Sequence, residues 1–338
     1  MKTQTLSGLM KRFETEDACK AFLQERRWPN GVRCPRCNNE KVFAVKSRPF
    51  HWVCKGKTCG GRNGYRFSVI TKTIFENTNY PLKTWFQVIY LMLSSKKGMS
   101  ALQIQRIIGS GAYRTAWYMC HRIRAAMKDG GFGKLMGEVE VDETYIGGKW
   151  KNKHVSVRRR GNGSNGPHGK IAVIGAIARK GNVTAQIIEK VNAATLQGFV
   201  RQTVGENVSL VATDEHSGYR KLKNAWDFRM NRSAIIKAST CAGTSIRRTW
   251  IAFLSLLKRG VIGTYHKVSK DYLPLYLAEF SYRHNNCQES EHFCRCRSRM
   301  LSMRPVTRAS MKYQPKNVQL RLPMEVPCRK RSRFRYIL

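Results

Sequence analysis

The sequence is short of acids, of long apolar runs and of anything resembling a secretory leader. Only 21 of its 338 residues are Asp or Glu, against 62 Lys and Arg, leaving a formal charge of +41. So few acids exclude a self-balanced surface and call for a polyanionic partner. DNA or RNA is favoured, because neutralising phosphates releases their counterions. No run of about 18 apolar residues occurs, which excludes a bilayer-spanning helix. The opening MKTQTLSGLMKRFETEDACK lacks the apolar core of a signal peptide. The chain therefore reads as cytoplasmic and nucleoid-associated, with no membrane partner. In that compartment its eleven cysteines read as thiols or metal ligands rather than disulfides.

A length of 338 residues suits two or three small domains, and what is present falls into four zones. Residues 1–80 carry paired cysteines among aromatic and basic residues. Residues 81–130 show apolar positions recurring at three and four, predicting three helices. Ser100 is placed to cap the second of these and Gly109 to end it. Three helices in this order read either as a helix-turn-helix unit, one helix entering the major groove, or as a plain helical linker. Trp85, Phe86 and Tyr90 suit a helix core better than base stacking. Residues 136–286 alternate strands and helices, predicting a mixed α/β layer fold. In this zone GEVEVDETYIGG is an alternating strand, and KIAVIGAIARKGNVTAQIIEKV is a hairpin turning at Lys180-Gly181-Asn182. NAATLQGFVRQTVG is a helix capped by Asn192, and SLVATDE is a short buried strand. Helices follow near 249–259 and 270–284. The stretch 230–253 matches neither period well. Residues 287–338 form a basic tail with few acids, read as poorly ordered.

Cys34 and Cys37 make one C-x2-C knuckle, and Cys54 and Cys59 make a C-x4-C knuckle. Four thiolates so spaced form a closed tetrahedral zinc site, a structural rather than a catalytic one. The metal replaces a core that so short a segment cannot build. The other cysteines have no comparable spacing and read as free thiols.

Two acids stand out by position. On a strand, Glu138, Glu140 and Asp142 share one face while Val139 and Val141 point to the other. A carboxylate on a core-forming strand is costly to bury unless it binds a cation. Asp214 ends a second apolar strand. Two such acids on neighbouring strands are able to hold divalent metal for phosphoryl transfer; each taken alone is more often a strand-end or turn residue.

Three long segments then carry a resemblance. VDETYIGGKWKNKH, ATDEHSGY and LLKRGVIGTYHKVSKDYLPLYLAEFSYRHNN, behind the two cysteine knuckles, resemble the zinc-ribbon insertion-sequence transposases related to the Merlin elements. The resemblance runs over roughly residues 10–286. It implies an RNase H-like core with a DDE-type site in which acids hold Mg2+ or Mn2+, Asp142 and Asp214 being two of them and Lys258 a phosphate contact. It also implies double-stranded DNA as partner (the element's terminal repeats and a target) and a homo-oligomer acting on paired ends.

The chain departs from that family at the third metal ligand. Its segment TSIRRTWIAFLSLLKRG puts Arg248 where the family has an Asn and Ile251 where it has an acid. No Asp, Glu or Asn lies between Asn231 and Lys258. Compensating frameshifts would account for this stretch, and another near residue 287 for the basic tail. The expected activity is end cleavage and strand transfer, impaired by the missing ligand; the alternative is a zinc-ribbon DNA-binding protein without catalysis. Glu279, one helical turn before Arg283, is either a substitute ligand or half of an i,i+4 ion pair.

Overall fold

Every capping signal that lies in the described helices does its work. The computed structural model describes residues 5–60, 63–128, 134–148, 155, 170–179, 181–213, 235–237 and 248–286. Two helices open the chain, α1 (Leu6–Arg12) and α2 (Glu16–Arg27), with Thr5 and Thr15 accepting from the amides of Gly8 and Ala18. Glu16 and Asp17 in the first turn of α2, and Arg26 and Arg27 in its last, oppose the helix dipole. A three-stranded antiparallel meander follows: β1 (Val42–Ala44), β2 (His51–Cys54) and β3 (Tyr65–Ser68). Next come α3 (Leu82–Ser94), α4 (Ala101–Ile108) and α5 (Tyr113–Met127). Ser100 accepts from the amide of Gln103, and Gly109 ends α4 at φ 65°, where a side chain would be strained.

One core joins the meander to these helices. Leu9, Phe13, Phe22, Trp52, Phe67, Trp85, Phe86, Ile104 and Ile123 all belong to it. Trp85 and Phe86 are thus buried packing residues, as their helical spacing implied. Nine of the fifteen residues of α5 are buried, so most of this helix is a strut and not a free surface.

The second body is a five-stranded mixed sheet. Its strands are β4 (Leu135–Ile146), β5 (Ile171–Ala178), β6 (Val183–Ile188), β7 (Val204–Thr213) and β8 (Ile235–Lys237), in the order β6-β5-β4-β7-β8. The hairpin β5–β6 forms as its turn residues predicted, with the amide of Gly181 donating to the carbonyl of Ala178. Strand β4 pairs antiparallel with β5 and parallel with β7. Gly137, at φ 76°, sits where the β4–β7 register shifts. The extra residues lie in β7, so β4 keeps its alternation through Gly137: Leu135, Val139 and Val141 share one core and the acids face the other side.

Helices cover both faces. On one, α6 (Ala193–Thr203), capped by Asn192, packs Leu196, Phe199 and Val200 against Val139, Val141 and Val211. On the other, α7 (Arg248–Gly260) and α8 (Leu273–Asn285), joined through a wide π-type turn at Val261–Tyr265, pack Trp250, Phe253, Leu257 and Leu277 against Val173 and Ile177. The sequence stretch that matched no period, 230–253, therefore contributes β8 and the first turns of α7. Helix α6 runs straight into β7, a longer strand than the short segment SLVATDE suggested. Asp214, residues 149–154 and 156–169, and the expected tail 287–338 lie outside the described residues.

Helices α5 and α8 meet around Glu279, which is 0% exposed. Arg124 donates to it at 2.6 Å, Tyr265 at 3.1 Å, and Arg283 one turn along also pairs with it. Burial alone would raise the Glu279 pKa; Arg283 and Arg124 outweigh burial and hold it below the usual carboxylate range. The ion-pair reading of Glu279 and Arg283 holds, with a second arginine that the helical spacing did not indicate.

Gly175 in β5 lies opposite Asp142, and a side chain there would overlap the Trp250 ring. Gly175→Ala is expected to lower stability by about 1–3 kcal/mol in urea denaturation, and Trp250→Leu in the same chain to recover part of that loss. Arg124→Met, leaving Glu279 buried with one cation fewer, is expected to cost about 3–5 kcal/mol. Because the folded pKa of Glu279 is depressed, its stabilisation is complete above the ordinary value near 4.5. It is lost as pH falls through the lower folded value. Unfolding free energy measured against pH will show this loss, and Glu279→Gln will flatten it.

Candidate functional site

Two sites are built from the residues that the sequence singled out. In the first, the loop before β1 brings Cys34 and Cys37 to the end of β2 and the turn after it, which hold Cys54 and Cys59. The four sulfurs all lie within 4.8 Å of one another. Cys34 and Cys59 are 3.7 Å apart, and Cys37 and Cys54 are 3.5 Å apart. Four Zn–S bonds of about 2.3 Å place neighbouring sulfurs about 3.8 Å apart, so the set fits one tetrahedral zinc. Each knuckle also turns an amide onto its first sulfur: Arg36 donates to Cys34 and Gly56 to Cys54, both at 3.4 Å. The amide of Asn39 pulls the Cys37 thiol down to about 6, whereas burial pushes that of Cys59 up to about 12. Such a cluster is poorly served by protons and well served by a divalent cation. No open ligand position is present among the described residues, which makes the site structural. Cys19 and Cys120 are buried thiols.

The second site is the face of β4 that carries Glu138, Glu140 and Asp142. These acids share a face as alternation required, but their surroundings differ. Glu138 pairs with Arg179 at the rim. Glu140 is 5% exposed and accepts from the amide of Trp250 at 3.2 Å. Its carboxylate thus caps the first turn of α7. The other oxygen, Oε1, has no hydrogen-bond partner, and burial raises the pKa of the group. Asp142 is half-buried, and its Oδ1 accepts from the amide of Glu143 at 2.7 Å. On β7, Thr213 pairs with Val141.

Helix α7 lies over this face. It turns Trp250, Phe253, Leu254 and Leu257 inward. Ile251 is 56% exposed, and the helix carries no acid along its length. Lys258 is exposed near its C-terminal end. The structure thus sets Asp142 beneath α7 on the sheet and Lys258 at the surface of that helix; Asp214 falls outside the described residues.

Sequence reasoning missed three residues here. The role of Glu140 as a helix cap depends on a contact with Trp250 across 110 positions, which no local pattern reports. Arg124, the partner of Glu279, sits 155 positions away. Gly175 did leave a signal: a glycine inside the apolar run IAVIGAIA marks a close approach by another group.

No helix among the described residues is long and apolar enough to cross a membrane. A structural likeness to the simian T-cell lymphotropic virus intasome in complex with PP2A regulatory subunit B56 gamma has a TM-score of 0.28 at 12% identity. It covers 59% of this chain and 65% of that one, and is too distant to bear on the fold. In sequence, the chain is 30% identical over 161 residues to an uncharacterized protein in transposable element ISH50 of Halobacterium salinarum. That alignment takes in 46% of this chain and 51% of the relative, so the chain spans about half the length of the relative it matches. Residues 14–62, which hold all four zinc-ligand cysteines, match the transposase zinc-ribbon domain, and residues 134–285, which hold the sheet and its helices, match the ISXO2-like transposase domain. With both domains present in this order, the chain belongs to the zinc-ribbon class of insertion-sequence transposases.

Proposed function

We propose that the chain binds the ends of an insertion element, and that its sheet is an RNase H-like core built for metal-dependent phosphoryl transfer. The observation that carries this reading is the position of Asp142. It lies half-buried on the central strand of a mixed sheet, one residue beyond the pairing of Val141 with Thr213. Asp214 is the next residue after Thr213 in the sequence. A central β4 with an antiparallel neighbour on one side and a parallel one on the other, covered by helices on both faces, supports the RNase H-like assignment.

Asp142 and Asp214 are the residues that would hold Mg2+ or Mn2+. When bound, such ions activate the attacking oxygen and stabilise the leaving one. The chain's own residues supply the rest. Lys258 offers a point charge to a phosphate. The apolar inner face of α7 keeps water from the buried side of the acids. Glu140, by capping α7, fixes that helix over the strand. The weak point is α7 itself: Arg248 and Ile251 stand where the family resemblance calls for an Asn and an acid, and Ile251 offers no oxygen. Cleavage and strand transfer are therefore impaired in this copy, and the compensating-frameshift account of residues 230–253 explains why.

For DNA, the exposed side of α4 and the first turn of α5 present Leu102, Gln103, Arg106, Ile107, Tyr113 and Arg114. The start of the second helix of a helix-turn-helix pair is the part that reaches base edges, and it is the one part of α5 left uncovered. Action on paired ends would make the working form a homo-oligomer. The second reading, DNA binding with no catalytic function, gains support from the same α7 sequence and differs in its response to repair.

Purified protein is expected to hold about one zinc per chain, measured by atomic emission. Cys54→Ser will release the zinc and lower the melting temperature. On a DNA duplex carrying the element end with Mg2+, the unaltered chain will nick at least about a hundredfold more slowly than Arg248→Asn, since a lost metal contact removes several kcal/mol of transition-state stabilisation. Adding Asp142→Ala to that variant will abolish the gain. Rapid nicking by the unaltered chain overturns the impairment. Silence of the repaired variant, with DNA binding intact, favours the binding-only reading.

A further inference from the structure

The meander β1–β3 has two unlike faces. Antiparallel partners project to the same side, so the register assigns them. Trp52 and Cys54 of β2, with Phe67 and Tyr65 of β3, face the zinc and the aromatic core. The opposite face carries the cross-strand row Phe43, Val53 and Arg66. Phe43 is 57% exposed, an aromatic ring left in water beside a core that buries Trp52 and Phe67. Lys55 places its ammonium 5.6 Å from the centre of that ring, and Arg66 at the far end of the row is exposed. Gly64, at φ 64°, keeps this face flat: a side chain there would run into Val53 and the carbonyl of Cys54 at 2.8 Å.

The charge of the segment that carries this row is one-sided. Between residues 41 and 75 the sequence has eight cations (Lys41, Lys46, Arg48, Lys55, Lys57, Arg62, Arg66 and Lys72) and no acid. An apolar patch meant for another protein's core would not sit in a stretch whose charges are all positive. A flat sheet that offers an aromatic ring within a field of positive charge suits a nucleic acid whose bases are free to stack. The phenyl ring has no donor or acceptor with which to read a groove edge, and duplex pairing hides the base faces. Unpaired strands offer them, and each base stacked on an aromatic side chain adds affinity regardless of its identity.

We propose that the outer face of β1–β3 is a binding surface for single-stranded DNA, with Phe43 stacking on an unpaired base while Lys55 and Arg66 hold the flanking phosphates. The proposal rests on the reading of the chain as a DNA-binding transposase and adds to it a surface for opened strands, distinct from the duplex-facing α4 and α5.

The test uses the full-length, zinc-loaded protein, a labelled thymidine strand of about 15 nucleotides, long enough for one such site, and a duplex of equal length. Phe43→Ala is expected to weaken strand binding roughly tenfold and to leave duplex binding within about twofold. Phe43→Trp will retain strand affinity. Phe43→Leu, which keeps apolar bulk without a ring face, will behave as the alanine variant does. Lys55→Ala will lower the slope of log affinity against log salt by about 0.7, one phosphate on a single strand. Zinc content and circular dichroism will stay unchanged, as befits an exposed side chain. Strand affinity that ignores Phe43→Ala overturns the proposal. So does an equal loss on strand and duplex, which would make the ring a groove wedge. A sedimentation change in Phe43→Ala with no change in strand affinity also overturns it, and gives the face to a second copy of the chain. If the unaltered protein binds neither probe, the DNA-binding reading itself fails.

Discussion

The carboxylate of Glu279 is the point on which the two bodies of the molecule hang together. It belongs to α8, which packs on the sheet through Leu277 and Phe280, yet it pairs with Arg124 of α5, a helix of the zinc-side core. A charge sealed from water is tolerable only when its lone pairs are answered, and here two guanidinium groups and the Tyr265 hydroxyl answer them. Tyr282, three residues on, is buried in the zinc-side core itself. The helical unit and the sheet are therefore fastened by an interaction that works only in one geometry. If the ribbon grips DNA and the core acts on it, as proposed, such a joint lets the position of one dictate that of the other.

Local rules made a large part of this fold legible in advance. The cysteine knuckles, the Ser100 and Asn192 caps, the Gly109 stop and the β5–β6 hairpin each depend on residues within a few positions of one another, and each forms where its pattern lies. Alternation correctly set Glu138, Glu140 and Asp142 on one side of β4. It was silent on what covers them, since burial of Glu140 is decided by Trp250, a residue 110 positions away in a stretch whose periodicity was weak. The same stretch hid β8 and the start of α7. The buried Arg124 was equally invisible: in a chain with 62 cations, nothing in the sequence separates an arginine that faces water from one that does not.

The proposed catalytic face shows how little a fold depends on the ligands of a site built upon it. The positions of α7 that meet the sheet are Trp250, Phe253, Leu254 and Leu257, and they are as apolar as packing demands. The amide of Trp250 still finds a carboxylate, and its ring still fills the space that Gly175 leaves. Packing is satisfied by side-chain volume and hydrogen bonds, whereas a metal site is satisfied only by oxygen atoms in the right places. A helix can therefore keep its seat on the sheet whether or not it also offers a ligand to a metal.

Helix α6 passes into β7 with no intervening loop: Thr203 ends one and Val204 begins the other. Leu196, Phe199 and Val200 lock the helix to the sheet, so the strand starts from a fixed anchor, and the register shifts opposite Gly137 then reset its phase, since Val204, Val208 and Val211 all face the same core. A slip of one residue would turn every side chain of β7 to the wrong side. The height at which the chain departs from the sheet after Thr213 is thus tied to a helix seated on the face opposite Glu140, and its facing to the irregular pairing in the first half of the strand.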